Sequence, residues 1–244
     1  MKNGIFSFVV YAFSKLFPSF FLLVIIIGFA LQSCGSGSEV KNEEHETENA
    51  LAPPVISSLS DLGIDESAGV PTGLQIGDKA PGFAARDIQG MPFDLYSVLL
   101  DGPVVLVFYR GKWCTYCNQY LSNLGDSAKY IQEKGATLVV VTPELKANAL
   151  EMAEKTKTNL HVISDPGNNI MDVFKVTFSV TDQYVEEIEK KHGVNISTNN
   201  GNPVARLPVP ATYIIGNQGD ISYVHFDLNY GKRAPVSEII RFLP

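Results

Sequence analysis

The sequence predicts an α/β fold in which a mixed central sheet is flanked by helices. Three observations carry this. Between Val104 and Ile163, three short apolar runs alternate with stretches of helical pattern. Two further apolar runs, Ala211–Ile215 and Ile221–Phe226, are joined across Asn217-Gln218-Gly219-Asp220 as a hairpin. A last helical stretch closes the chain, and strands that alternate with helices before a final hairpin describe a layered α/β sandwich.

Each element has a local reason. Ile76 to Leu95 reads as a loop with short strands, turning at Asp87-Ile88-Gln89-Gly90. Val104–Tyr109 is an apolar run of strand length, and a helix follows from about Cys117 to Glu133, closed by Gly135. Thr137–Val141 is a second strand, and Pro143-Glu144 opens a helix reaching about Lys155, because proline suits the first helical position. Leu160–Ile163 is a third strand, ended by the turn Asp165-Pro166-Gly167. Pro235 starts the final helix, from about Val236 to Phe242. Val176–Pro208 exceeds a minimal version of the fold. With a charged helix over Tyr184–His192 and a polar loop over Asn195–Asn202, it reads as an insertion before the late hairpin, lying over the site.

Not all of the 244 residues are expected to fold. Residues 1–33 contain Lys2 and Lys15, no acid, and an apolar run from Phe20 to Leu31. A positive start, an apolar core and small residues at the end make an export signal. Leu31-Gln32-Ser33-Cys34 resembles a bacterial lipobox, in which Cys34 takes a lipid on its sulfur. The alternative is an uncleaved membrane anchor, since Ile5 to Leu31 could almost span a bilayer if Lys15 and Pro18 were tolerated. Residues 34–73 are rich in Gly, Ser, Glu, Asn and Pro, with Glu39, Glu43, Glu44, Glu46 and Glu48 opposed only by Lys41. Such a stretch buries too little apolar surface to offset its ordering entropy, so a disordered acidic linker is expected. The remainder, 74–244, is then one domain tethered at the bacterial envelope through a lipid or an anchor, facing the periplasm or the surface. Removing Lys2 and Lys15 takes the formal charge from −7 to −9, which argues against nucleic acid as a partner.

The chemistry concentrates in Phe108-Tyr109-Arg110-Gly111-Lys112-Trp113-Cys114-Thr115-Tyr116-Cys117. A C-x-x-C where a strand passes into a helix sets a thiol against unpaired backbone N–H groups and the positive end of the helix dipole. Both favour thiolate over thiol. The second sulfur, three residues on, can close a disulfide. The same spacing is half of a zinc site, and a buried cysteine can be a plain small hydrophobe. A closed zinc site needs about four ligands; the third cysteine, Cys34, lies far upstream, and His45, His161, His192 and His225 are scattered singly. No metal is therefore expected, and nothing in the chain indicates a flavin, haem or nucleotide cofactor.

With these residues in view, the chain resembles the AhpC/TSA, peroxiredoxin-like branch of the thioredoxin-fold superfamily. Gly77-Asp78-Lys79-Ala80-Pro81-Gly82-Phe83 is similar to the G-D-x-A-P-x-F opening of peroxiredoxins. Phe108 to Asn118 is similar to the F-Y-R-G-x-W-C-P-Y-C-N signature of a peroxiredoxin-like subgroup, and Asn229-Tyr230-Gly231-Lys232-Arg233 to a D-Y-x-x-R motif in it. Val209-Pro210-Ala211-Thr212-Tyr213-Ile214-Ile215 is similar to the strand that faces the redox site, with Pro210 at the cis-proline position of thioredoxin folds. The resemblance implies a thioredoxin-like fold in its peroxiredoxin-like variant.

There are departures as well. Counted from the strand, Cys117 falls at the peroxide-attacking position of peroxiredoxins, and Cys114 replaces their threonine three residues earlier. Pro210 takes the place of their arginine before the late strand, and Arg110 is the candidate substitute cation. In thioredoxins the attacker would instead be the first cysteine, Cys114. As a peroxidase, one thiolate becomes a sulfenic acid and the other cysteine condenses with it. As a disulfide reductase of the TlpA/ResA sort, the thiolate attacks a partner disulfide and the second cysteine resolves the mixed species. A non-catalytic thioredoxin-fold binding module is a third reading, which the intact C-x-x-C opposes. Trp113 and Tyr116 either shape the site or simply pack, and Arg110 and Lys112 either lower a thiol pKa or are solvated charges. The partners implied are a hydroperoxide or a protein disulfide, and a thiol electron donor such as a thioredoxin-like protein.

Overall fold

The computed structural model describes residues 52–156 and 160–244. The expected export signal, Cys34 and the acidic half of the linker lie outside the described residues. Two short 3-10 turns, Ser60–Leu62 and Glu66–Ala68, lead into β1 (Ala84–Arg86), β2 (Pro92–Asp94), α1 (Leu95–Val98) and β3 (Val104–Phe108). Then come α2 (Thr115–Asp126), α3 (Ala128–Glu133), β4 (Thr137–Thr142), α4 (Lys146–Lys155), β5 (His161–Ser164) and α5 (Asn169–Val173). The chain continues through β6 (Thr177–Ser179), α6 (Asp182–His192), α7 (Ile196–Asn200) and β7 (Arg206–Pro208), and ends with β8 (Ala211–Ile215), β9 (Ile221–Phe226) and α8 (Val236–Phe242).

The central sheet has the order β5-β4-β3-β8-β9. β3 pairs with β4 in parallel and with β8 antiparallel, so the sheet is mixed, as the sequence predicts. β3 is central because it has no polar face. Val105, Val107 and Tyr109 enter one buried cluster, while Val104, Leu106 and Phe108 enter the other. Alternate side chains of a strand point to opposite faces, so an all-apolar run demands cover on both. Burying each such aliphatic side chain contributes about 1.5–3 kcal/mol, which makes this strand the organising element of the domain.

The Val176–Pro208 insertion is folded in its own right. β6 and β7 pair antiparallel at its base, Phe178 opposite Leu207, and enclose α6 and α7. α6 carries a complete set of helix signals: Thr181 caps its N-terminus, Lys190, Lys191 and His192 fill its last turn, and Gly193 ends it in the left-handed region at φ 66°.

Four expectations need correction. The linker expected over 34–73 stops short of 73: Leu62 and Ile64 are buried in the first cluster, and Ile64 bridges to Val180. Their apolar spacing is diluted by the surrounding Ser, Asp and Glu, which is why the stretch reads as linker. The helix expected from Cys117 to Glu133 begins at Thr115 and divides at Ser127 into α2 and α3. Pro143-Glu144 does not open α4, which starts at Lys146; Glu144 is turned inward and fully buried. The polar loop expected over Asn195–Asn202 contains α7, capped by the Asn195 side chain, which accepts from Thr198 N–H at 3.0 Å. α5 was not expected at all. Its first turn is held by Asp165, whose carboxylate accepts from the N–H groups of Ile170 and Met171 at 3.0 and 3.1 Å. Among the described residues no helix is long and apolar enough to cross a membrane.

Candidate active site

The chain leaves β3 and makes one sharp loop before α2. Gly111 permits it. Its φ of +152° is disfavoured for L side chains, and a Cβ there would lie 2.7 Å from Trp113 Nε1 and 2.8 Å from Glu144 Oε1. Cys114 is the N-cap of α2, its N–H donating to Gly111 O at 3.1 Å, and Cys117 lies in the first turn. The two sulfurs are 2.8 Å apart and both are buried. The pair thus sits at the junction of strand and helix that the sequence predicts, although the Cys114 side chain makes no capping hydrogen bond to α2.

The proton of this pair is unequally shared. Burial pushes the Cys117 thiol up. The hydrogen bond from Cys114, the Arg233 guanidinium, the backbone N–H of Arg110 and the Arg110 guanidinium outweigh it, so Cys117 falls to about 5. Arg233 Nη2 lies 3.5 Å from Cys117 Sγ. Cys114 moves the opposite way, raised by burial and by its hydrogen bond and charge interaction with Cys117. The geometry thus prepares a thiolate on Cys117 with Cys114 as the neighbouring thiol.

Arg110 is no solvated charge. It is 1% exposed, and its Nη2 donates to Tyr184 Oη at 2.5 Å. Its guanidinium carbon sits 4.1 Å from the Tyr230 ring centroid, 4.8 Å from Trp113 and 5.3 Å from Tyr184. Three aromatic faces replace the water that a buried cation loses. Lys112 stays nearer the surface, where it pairs with Glu151. Trp113 is buried in the cage, whereas Tyr116 is half-buried and meets Tyr230 edge-on at 5.6 Å. Both therefore wall the site. Pro210 is buried immediately before β8. Val107 pairs with Thr212 in the antiparallel β3–β8 ladder, and continuing that register sets Pro210 opposite Tyr109, at the mouth of the cysteine loop.

Five residues assigned no role by sequence reasoning belong to this site: Arg233, Tyr184, Tyr230, Glu144 and Asn199. Glu144 accepts from Lys112 N–H at 2.8 Å and from Asn199 Nδ2 at 2.6 Å, so it clamps the cysteine loop to α7. Burial pushes its carboxyl up to about 7, despite the hydrogen bonds from Asn199 and Lys112. Arg233 and Tyr230 were visible only as letters of the Asn229–Arg233 motif, and Tyr184 only as part of the insertion. The insertion does lie over the site, because α6 delivers Tyr184 to Arg110.

Comparison with known proteins agrees with this geometry. Over 108 residues the chain is 27% identical to the thiol-disulfide oxidoreductase ResA of Bacillus thuringiensis strain Al Hakam; the match covers 42% of this chain and 59% of that protein. It is 28% identical over 103 residues to a Mycobacterium tuberculosis chain named as a peroxiredoxin, covering 42% of this chain and 67% of that one. Among solved structures, the peroxidoxin BcpB of Mycobacterium tuberculosis superposes with a TM-score of 0.54 at 20% identity, over 70% of this chain and 96% of that one. A cysteine-to-serine mutant of the peroxiredoxin 6 of Arenicola marina gives 0.55 at 16% identity, over 70% and 72%. These structural likenesses confirm the peroxiredoxin-like, thioredoxin-type fold. The AhpC/TSA family model matches residues 76–224, which carry the dithiol, both strands beside β3 and most of the late hairpin, and the chain belongs to the AhpC/TSA family.

Proposed function

We propose that the chain is a thiol peroxidase that reduces hydroperoxides through a Cys114–Cys117 dithiol/disulfide cycle. The observation that carries this is the position of Cys117 Sγ, 2.8 Å from Cys114 Sγ and 3.5 Å from Arg233 Nη2. The Cys117 thiolate attacks one peroxide oxygen, forming an S–O bond as the O–O bond breaks, and the departing oxygen leaves as water or alcohol after taking a proton. Cys114 then attacks the sulfenic sulfur, forming the S–S bond and releasing the oxygen as water. Two electrons pass from the dithiol to the peroxide, and a thiol donor such as a thioredoxin-like protein restores them. Arg233 and Arg110 offset negative charge at the reacting sulfur and at the departing oxygen. Tyr184, Trp113 and Tyr230 hold Arg110, and Glu144 holds the loop, as positioning residues.

A second reading is a thiol-disulfide reductase acting on exported proteins. Cys114 favours it: it is the helix N-cap and the less buried residue of the two, 4% exposed against 0% for Cys117, and the ResA relative bears that activity in its name. Mixing reduced protein with hydrogen peroxide and, separately, with a protein disulfide decides between them. A second-order rate constant at least tenfold higher for peroxide supports the first reading, and the reverse order replaces it with the second. Tethering at the bacterial envelope through Cys34 belongs to the same proposal, motivated by Leu31-Gln32-Ser33-Cys34. Labelled fatty acid should enter the wild-type chain and not Cys34→Ala; no label in either would favour an uncleaved anchor.

A further inference from the structure

One wall of the dithiol site holds a segment of this same chain. Tyr116 Oη donates to Ala52 O at 3.0 Å, and Asn229 Nδ2 donates to Pro54 O at 3.2 Å. Between these contacts the backbone of Gly231 comes so close that a Cβ would lie 2.2 Å from Pro54 Cδ and 2.8 Å from Pro53 Cα. Pro53 also borders a cavity of about 420 Å³ lined by Tyr116, Tyr120 and Arg233, and Arg233 is the residue that reaches Cys117 Sγ.

The character of these contacts identifies what the groove is built to hold. Both hydrogen bonds go to main-chain carbonyls, and the remaining contact is between proline rings and a bare glycine backbone. A run of main-chain acceptors with prolines is what an extended polypeptide presents, and a small peroxide presents none of it. The seated segment is only partly buried. Ala52 and Pro53 are exposed, Pro54 is half-buried and Val55 is 95% exposed; Ile56 and Leu59 pack against the core, and full burial begins at Leu62.

We infer that Tyr116, Asn229 and Gly231 form a groove for the extended polypeptide around the redox cysteine of a partner protein, and that Ala52-Pro53-Pro54 occupies this groove until the partner displaces it. The inference rests on the dithiol cycle proposed above and names the class of its electron donor. In the exchange, a partner thiolate attacks Cys114 Sγ of the oxidised pair, forming a mixed disulfide while Cys117 departs as a thiolate beside Arg233. The partner's second thiol, deprotonated, attacks its own sulfur in that mixed disulfide and releases Cys114. The partner ends oxidised to a disulfide, and this protein has gained two electrons.

The test uses the full-length chain carrying Pro53→Gly and Pro54→Gly, which removes the ring contacts and loosens the seated segment. Three rates are measured by stopped flow: reduction of the oxidised protein by thioredoxin, its reduction by dithiothreitol, and oxidation of the reduced protein by hydrogen peroxide. Freeing a groove that is closed most of the time raises the partner's apparent affinity by the inverse of the open fraction, so the thioredoxin rate should rise roughly fivefold. The dithiothreitol and peroxide rates should stay within about twofold, because neither reagent needs the groove. Adding Asn229→Ala to the glycine variant should abolish the gain, since the incoming polypeptide then loses its own donor. An unchanged or lower thioredoxin rate overturns the inference. So does an equal rise in all three rates, which would make the segment a simple cover over the sulfurs. If thioredoxin exchange responds as expected while peroxide oxidises no form of the protein, the groove stands and the peroxidase reading falls.

Discussion

Arg233 Nη2 lies 3.5 Å from Cys117 Sγ, although 116 residues of chain separate the two. The contact ties the turn before α8 to the first turn of α2, and it supplies a cation at the sulfur that the sequence places nearest the attacking position. Arg110, held in its aromatic cage, adds a second cation that favours the Cys117 thiolate.

Arg233→Met should therefore raise the Cys117 thiol and slow its reaction with iodoacetamide at pH 6. A hydrogen bond to a charged group contributes about 1.5–3 kcal/mol, or about one to two pKa units, so from a starting value of about 5 the thiolate fraction at pH 6, and with it the rate, should fall by about two- to fifteenfold. The rates of variant and wild type should converge above pH 9, where the Cys117 thiol is ionised in both proteins. Equal rates at pH 6 would show that Arg110 and the helix suffice.

The pH profile of the wild type gives a second test. Cys117 is depressed to about 5 from an unperturbed value of 9.0. Its thiolate should accordingly be fully formed at neutral pH and be lost only as pH falls through about 5. An alkylation profile with its midpoint near 8 or 9 would contradict the assignment of the charge to Cys117.

Division of labour between the cysteines is checked by trapping. After peroxide, Cys114→Ser should leave Cys117 as a sulfenic acid that a dimedone probe labels, because no thiol remains to condense with it. Cys117→Ser should label poorly at Cys114, whose thiol is raised. Reversed labelling would assign the attack to Cys114, as in a thioredoxin-type reductase.

Glu144 makes stability depend on pH with a definite sign. Its folded value, about 7, lies above the unperturbed 4.5, so the folded state prefers the neutral acid. Wild-type stability should fall as pH rises from about 4.5 through 7, by an amount on the order of 3 kcal/mol when the shift is converted at 1.36 kcal/mol per unit. Glu144→Gln cannot ionise, and it loses one acceptor at every pH. Its urea midpoint should therefore start below that of the wild type at pH 5 and gain on it towards pH 8. Parallel curves for the two proteins would show that the carboxyl is not held up by burial.

The sheet was legible because its strands state their burial directly. Val104–Tyr109 and Thr137–Val141 are apolar on both faces, and the late hairpin is punctuated by Gly219. The dithiol, Trp113 and the strand-to-helix junction were legible for the same reason: spacing within one segment fixes them. What sequence could not show was direction and distance. Arg110 and Arg233 are both written in plain sight, but only the tertiary fold decides that one enters an aromatic cage and the other touches sulfur. Glu144 after a proline carries the local signature of a helix start, and burial between the cysteine loop and α7 overrides it. Leu62 and Ile64 were missed because two apolar anchors in a polar stretch carry no period.

The two arginines also set which way electrons prefer to run. A cation beside Cys117 stabilises the thiolate, a species that exists only when the pair is reduced; the disulfide carries no charge to answer it. Stabilising the reduced form raises the reduction potential, by about 30 mV for each tenfold gain in the equilibrium. The caged Arg110 and the sulfur-bound Arg233 would thus make a Cys114–Cys117 disulfide a stronger oxidant than the same C-x-x-C in neutral surroundings, and correspondingly easier for a donor thiol to recharge.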